Sequence, residues 1–343
     1  MFAAYLVWRV VARDQGQTFH SSARALLSLA SGFALPWSVV FGGFWAASAF
    51  DAFWFWTVTY AREYATGVPF ADGLKLAQAA TAHVFAGAPL VWSLAMLGWF
   101  LFAAFGRPTG RSRGLWSLLL LSLGSVALGW RFSEHYFLLL VPAAALGVAA
   151  MAERLHPWPW VGALVVGGAV AVTAAQEWMT FRGSTPWMMS RAIYGRNPFP
   201  EALEIAERVR NASRPEDSIA VVGSEPEIYF YARRKAATGF VYTYPLTEPH
   251  PFAEQMQEQM IREIEAAHPT FLILVHVPTS WSRRVESPLQ IFEWSANYAN
   301  TKYRPYGLVE ISANGHSRSF WGEQAQFRYP ESDIFVSVFE RNP

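Results

Sequence analysis

Within six consecutive residues, Arg131-Phe132-Ser133-Glu134-His135-Tyr136, the chain sets a guanidinium, a carboxylate and an imidazole. The planar fork of Arg131 is suited to a phosphate. Glu134 and His135 are the types that pair with such a cation or move protons. The plainer alternative is an Arg–Glu pair that closes a helical hairpin, and the residues alone leave both open. A second group is Gly223-Ser224-Glu225-Pro226-Glu227, a hydroxyl and two carboxylates directly after the apolar run Ser-Ile-Ala-Val-Val. That is where open α/β sheets bind ligands, beyond the carboxyl end of a strand. A third is Asp51, at the head of Asp-Ala-Phe-Trp-Phe-Trp-Thr-Val-Thr-Tyr.

Several chemistries are excluded. There is no cysteine, hence no disulfide, thiolate metal site or cysteine nucleophile. The loop after Val222 lacks the Gly-x-Gly-x-x-Gly pattern of a dinucleotide site, and no Walker loop, His-Glu-x-x-His or Gly-x-Ser-x-Gly sequence occurs. His250, His268, His276 and His316 are dispersed, which favours structural roles over metal ligation. Asn211-Ala212-Ser213 is a formal glycosylation triplet of little weight. No basic run interleaved with aromatics points to nucleic acid.

The elements that must hold these residues divide sharply. Residues 1–176 carry 10 Lys/Arg and 6 Asp/Glu, whereas 177–343 carry 17 and 20. A crossing of the hydrocarbon core needs about 20 apolar residues. Stretches 25–50, 84–105, 114–130, 135–152 and 155–176 meet or approach that length without a charge. The expectation is a multi-pass helical membrane bundle over 1–176, with about five spans, a helix stub at 1–13 and an aromatic interfacial helix at 51–64. The stub does not have the form of a signal peptide. A linker at 177–199 leads to a soluble α/β domain at 200–343. Arg13, Arg24, Arg107, Arg111, Arg113 and Arg154 face one side, and Arg62, Lys75 and Arg131 the other. The positive-inside rule assigns the first set to the cytoplasm, and five crossings then carry the C-terminal domain outside.

In the second half, apolar periodicity predicts helices over 200–213, 226–233, 252–267 and 288–301. Strands are expected at 218–223, 239–242, 270–277, 306–311 and 334–339. The alternation of strands with helices, and the continuous apolar runs, predict a mainly parallel sheet covered on both faces.

Three stretches carry a resemblance. The hairpin Arg131–Leu138 with Pro142 resembles a recurring feature of bacterial membrane glycosyltransferases of the GT-C superfamily, the relatives of dolichyl-phosphate-mannose-protein mannosyltransferases. The sequence from Val222 to Tyr231, followed by Phe240 to Leu246, is similar to the extracytoplasmic tail domain of those proteins, and the stretch from Asp51 to Tyr60 has the same look. The resemblance implies transfer of a sugar from a polyprenyl phosphate to an extracytoplasmic acceptor at a bacterial inner membrane. In the family a carboxylate in the first external loop activates the acceptor, and cationic side chains steady the departing phosphate. That loop would precede the first residue of this chain, so no position here inherits the catalytic role. The expectation is therefore an N-terminally shortened form, or one completed by a membrane subunit that supplies the missing helices. Asp51 and Glu134 are the candidate carboxylates, and Arg131 and His135 the candidate phosphate ligands. The resemblance calls for no cofactor, with a divalent metal left open. The alternative is a non-catalytic membrane protein whose external domain binds a partner or a glycan. A transporter is disfavoured, because no inverted repeat or matched pair of broken helices is visible.

Overall fold

The computed structural model describes residues 19–106 and 110–343. The expected stub at 1–13, together with Arg13 and Arg107, lies outside those residues. The chain forms two compact units that divide between Thr180 and Phe181.

The first unit is helical. Helix α1 spans Phe19–Ala46. The aromatic segment is one continuous helical run, made of α2 (Phe50–Trp54), a π-helical turn (Phe55–Thr59) and α3 (Tyr60–Thr66). Helices α4 (Phe70–Gly87), α5 (Pro89–Phe105) and α6 (Gly110–Val126) follow. A 3-10 segment, Glu134–Leu140, feeds α7 (Val141–Arg154), and α8 covers Pro159–Phe181. Among the described residues, four stretches are long and apolar enough to cross a membrane, namely Leu27–Ala46, Ser112–Trp130, Glu134–Arg154 and Pro159–Trp178. They turn Phe33, Trp45, Leu120, Leu138 and Leu164 outward, more apolar surface than water tolerates. This is a membrane protein.

Stretch 84–105 was expected to be one span. It is instead broken at Ala88, with α4 and α5 bent by 109°. Pro89 is the cause. It has no N–H to continue the ladder and its ring clashes with the preceding turn, so α4 ends and α5 begins with proline in its first turn. Four helices therefore qualify alone, and five crossings require the bent pair to count as one.

Helices α5 and α7 make the closest pair. Ala95 and Gly98 are buried on one, Ala143 and Gly147 on the other. Without a hydrophobic drive between helices in lipid, small residues bring backbones together so that dispersion contacts can form. The Trp99 indole donates to the Ala143 carbonyl at 2.8 Å. A Cβ on Gly98 would run into the Gly147 carbonyl oxygen, which neither backbone can yield. Gly98→Leu is expected to part the pair and lower unfolding stability by about 3 kcal/mol, the upper end for overpacking. Thermal unfolding in detergent checks this, and an unchanged midpoint would refute the contact.

The second unit opens with α9 (Pro186–Tyr194), inside the segment expected to be linker, and α10 (Phe199–Asn211). Then come β1 (Ser218–Val222), α11 (Pro226–Ala232), β2 (Lys235–Ala236), α12 (Ala253–Ala267) and β3 (Phe271–His276). Helix α13 (Gln290–Lys302), β4 (Tyr303–Ile311), β5 (Ser317–Trp321), the short α14 (Glu323–Gln326) and β6 (Phe335–Arg341) complete it. Ala202, Ile205, Ala206 and Val209 of α10 pack on Val221, Ile273, Val309 and Val336 of the sheet.

The sheet order is β2-β1-β3-β6-β4-β5. Only β2-β1 and β1-β3 are parallel, while β3-β6, β6-β4 and β4-β5 are antiparallel. The expectation of a mainly parallel sheet is thus wrong, and the sheet is mixed and mostly antiparallel. The reason lies in the connections. Helices cross over from β1 to β2 and from β2 to β3, but β4 turns directly into β5 through a tight reversal in which the Ser312 N–H donates to the His316 carbonyl and Gly315 takes φ +81°. A direct reversal permits only an antiparallel ladder. The strand expected at 239–242 is not formed either, since the short β2 precedes it.

Candidate functional site

Strand β1 pairs with β2 on one side and β3 on the other, and the chain returns past β1 between them. Successive connections therefore leave the carboxyl ends of β1 and β3 in opposite directions, the place in an open α/β sheet where ligands tend to bind. The loop residues Ser224, Glu225 and Glu227 stand there. Glu225 is 3% exposed. The Ser280 hydroxyl, from the loop after β3, donates to its Oε2 at 2.9 Å and accepts from the Ser224 N–H at 2.8 Å. The Ser224 hydroxyl meets Thr243 Oγ1 at 3.0 Å and accepts from the Thr243 N–H. The Tyr244 hydroxyl donates to the Thr279 carbonyl at 2.5 Å.

Burial dominates the electrostatics of this cluster. Desolvation pushes the Glu225 carboxyl up to about 8, against the opposing pull of the Ser280 hydrogen bond and with a smaller push from the charge of Glu227. Desolvation also raises Glu227, whose Oε1 is buried without a hydrogen-bond partner among the described residues. At neutral pH Glu225 is thus an uncharged acid tied to a serine. Its geometry is that of a latch between two loops, with Glu227 the more accessible carboxyl. Sequence reasoning found Ser224, Glu225 and Glu227 but missed Ser280 and Thr243. The available signal was the Thr-Ser-Trp that follows the strongest apolar strand, at the end of a run that could neighbour β1.

The membrane unit presents the other group. Residues 129–132 form an unusual turn in which Gly129, Trp130 and Phe132 all have positive φ, at +73°, +55° and +44°. Left-handed backbone costs about 1–2 kcal/mol for each non-glycine residue, so surrounding contacts must hold it. Gly129 lies against the backbone of Ala65, and Gly73 leaves the room that Trp130 fills. Phe70 packs edge-on to the Trp130 ring at 4.8 Å. The turn aims Arg131 at the end of α3, where Nε and Nη2 donate to the Tyr64 carbonyl at 3.3 and 3.1 Å. The guanidinium sits 3.5 Å over the Tyr64 ring. Arg131 therefore caps a helix C-terminus whose carbonyls lack intrahelical donors. The Arg131–Glu134 pair, the plainer of the two alternatives, does not form, for Glu134 faces His83 at 3.8 Å. His135 packs edge-on to Tyr136 and is exposed.

Asp51 stands apart from this group. It lines an open cavity of about 500 Å³ with Phe50, Trp54, Phe55 and Thr59. Thirteen residues of helical run separate it from Tyr64, about 20 Å at 1.5 Å per residue. Asp51 and Arg131 consequently cannot act on one small group. Among the described residues no three His, Asp or Glu side chains are grouped to hold a metal ion. His250 bridges its own turn through the Pro245 carbonyl and the Phe252 N–H, and His276 stacks on Phe335 at 4.2 Å. No known family model matches the chain, and no curated protein matches its sequence.

Proposed function

We propose that this protein belongs to the machinery that transfers sugars from polyprenyl-phosphate donors at a cell envelope, with the turn 129–136 at the lipid-phosphate end of its site. The observation that carries the reading is the strained turn. Two left-handed non-glycine residues, Trp130 and Phe132, are a cost that helix closure alone does not require, and strain of this kind collects at functional sites. Around it lie Tyr64, Trp130, His83, Glu134 and His135, aromatic and polar groups at the end of two apolar helices, the composition of a headgroup layer. A phosphate would share the Arg131 guanidinium with the Tyr64 carbonyl, and the face of Tyr64 would keep the guanidinium plane fixed.

The reading carries a topology. Helices α5 and α7 run side by side in the same direction, Ala95 against Gly147 and Phe105 beneath Arg154, so α5 shares the crossing of α7. Helix α4, at 109° to α5, then lies along the surface. Five crossings, with Arg24, Arg113 and Arg154 cytoplasmic, set the turn and the α/β unit outside.

Arg131→Ala is expected to lower transfer from a polyprenyl-phosphate-sugar donor about 100-fold, the loss for one preorganised charged donor. Purified protein in vesicles, with and without added membrane subunits, provides the assay. Full transfer by the folded variant would remove Arg131 from the site. Turnover absent under every condition would favour the tethered, non-catalytic protein that binds a partner or glycan.

A further inference from the structure

Helix α9 has the sequence Pro-Trp-Met-Met-Ser-Arg-Ala-Ile-Tyr and holds one charge, Arg191. That charge is turned into the α/β unit, where the carbonyls of Gly195, Asn197 and Gly315 and the Glu201 carboxylate take its donors. The Ser190 hydroxyl is buried as well. What remains outward is Trp187, Met188, Ile193 and Tyr194, all exposed, with Ile193 at 59%. The helix thus hides its polar groups and shows its apolar ones, the reverse of a water-facing helix.

Its place in the chain says what covers that surface. Helix α8 contains the span Pro159–Trp178 and ends at Phe181. Residues 182–185 then separate it from Pro186, and a fully extended chain over that distance reaches at most about 18 Å. Helix α9 is therefore tethered within reach of the headgroup layer at the end of a membrane span. Trp and Tyr partition to that layer because one end of each ring system is apolar and the other hydrogen-bonds.

We infer that α9 lies in the lipid headgroup layer, a membrane-surface helix held to the α/β unit by Arg191. The bilayer is its partner, through Trp187, Met188, Ile193 and Tyr194. The inference needs only that α8 crosses a bilayer, and it stands or falls apart from sugar transfer.

The absence of cysteine makes the test direct. Ile193→Cys, and separately Met188→Cys, in the full chain is labelled with a nitroxide and placed in phosphatidylcholine–phosphatidylglycerol vesicles. Val285→Cys, at a position 98% exposed, serves as the water reference. Collision rates with oxygen, which concentrates in lipid, and with a water-soluble nickel chelate are then compared. The Ile193 label is expected to show an oxygen-to-nickel ratio several-fold above the Val285 reference, with the Met188 label deciding the matter if the first variant does not fold. A ratio equal to the reference means water covers the helix and overturns the inference. A label reached by neither quencher means protein covers it, which overturns the inference equally.

Discussion

Arg191→Ala is expected to destabilise the α/β unit by about 3–5 kcal/mol, the cost of leaving a buried carboxylate without its cation. The Arg191 side chain is 10% exposed and Glu201 only 3%. Nε donates to the Gly315 carbonyl at 3.0 Å, and Nη1 to Gly195 at 3.1 Å and Asn197 at 2.8 Å. Nη2 meets the Glu201 carboxylate and the Ser317 hydroxyl. One guanidinium thereby joins α9, α10 and the reversal between β4 and β5. Its removal strands Glu201 and three carbonyls together. For a unit of this size the loss corresponds to a fall in midpoint of about 10 °C. Differential scanning of the detergent-solubilised chain measures it. The double variant Arg191→Met, Glu201→Leu should recover much of the loss, because removing both charges also removes the desolvation penalty. A midpoint within about 1 °C of the parent for Arg191→Ala would show that water already reaches Glu201.

Glu225→Gln is expected to stabilise the α/β unit above pH 8 and to flatten its stability profile between pH 4.5 and 8. Burial raises the folded carboxyl from its ordinary 4.5 to about 8. Between those values the folded chain holds a proton that the unfolded chain has released. The native state binds more protons there, so stability falls as pH rises. Below pH 4.5 both states are protonated and the penalty is absent. Above pH 8 both are ionised, and the full penalty persists as a buried charge, on the order of a few kcal/mol. Glutamine keeps the shape and a hydrogen bond to Ser280 without the charge. Denaturant unfolding at pH 5, 7 and 9 separates the outcomes. Parallel profiles for parent and variant would mean that Glu225 is not the group that titrates.

Much of the second unit could be read directly. Ser218–Val222 and Phe271–His276 are continuous apolar runs, and Phe199–Asn211 and Ala253–Ala267 repeat apolar residues at helical spacing. Strand β5 escaped because it is an edge strand. Ser-Arg-Ser-Phe-Trp has no fully buried residue and no apolar–polar alternation, yet its pairing with β4 makes that part of the sheet antiparallel. The small residues Ala95, Gly98, Ala143 and Gly147 mark a helix contact only once two helices are known to face each other. Likewise Arg131 and Glu134 lie three positions apart and invite pairing, but the turn's left-handed residues send Arg131 to Tyr64, 67 positions away.

Whatever depends on local composition could be read from the residues alone. Long uncharged runs must leave water whatever their neighbours are, and the charge-rich remainder must stay in it. Continuous apolar strands, the carboxylates after β1 and the aromatic run from Asp51 follow the same logic. Which groups meet depended on how whole elements pack. Packing set the mixed sheet, the buried Arg191–Glu201 pair and the latch from Ser280 to Glu225. Each joins residues of different elements, and a hydrogen bond or ion pair of 3 Å has no signature in sequence spacing. Its partner is chosen by the packing of whole helices and strands, and burial then decides whether a carboxyl is charged.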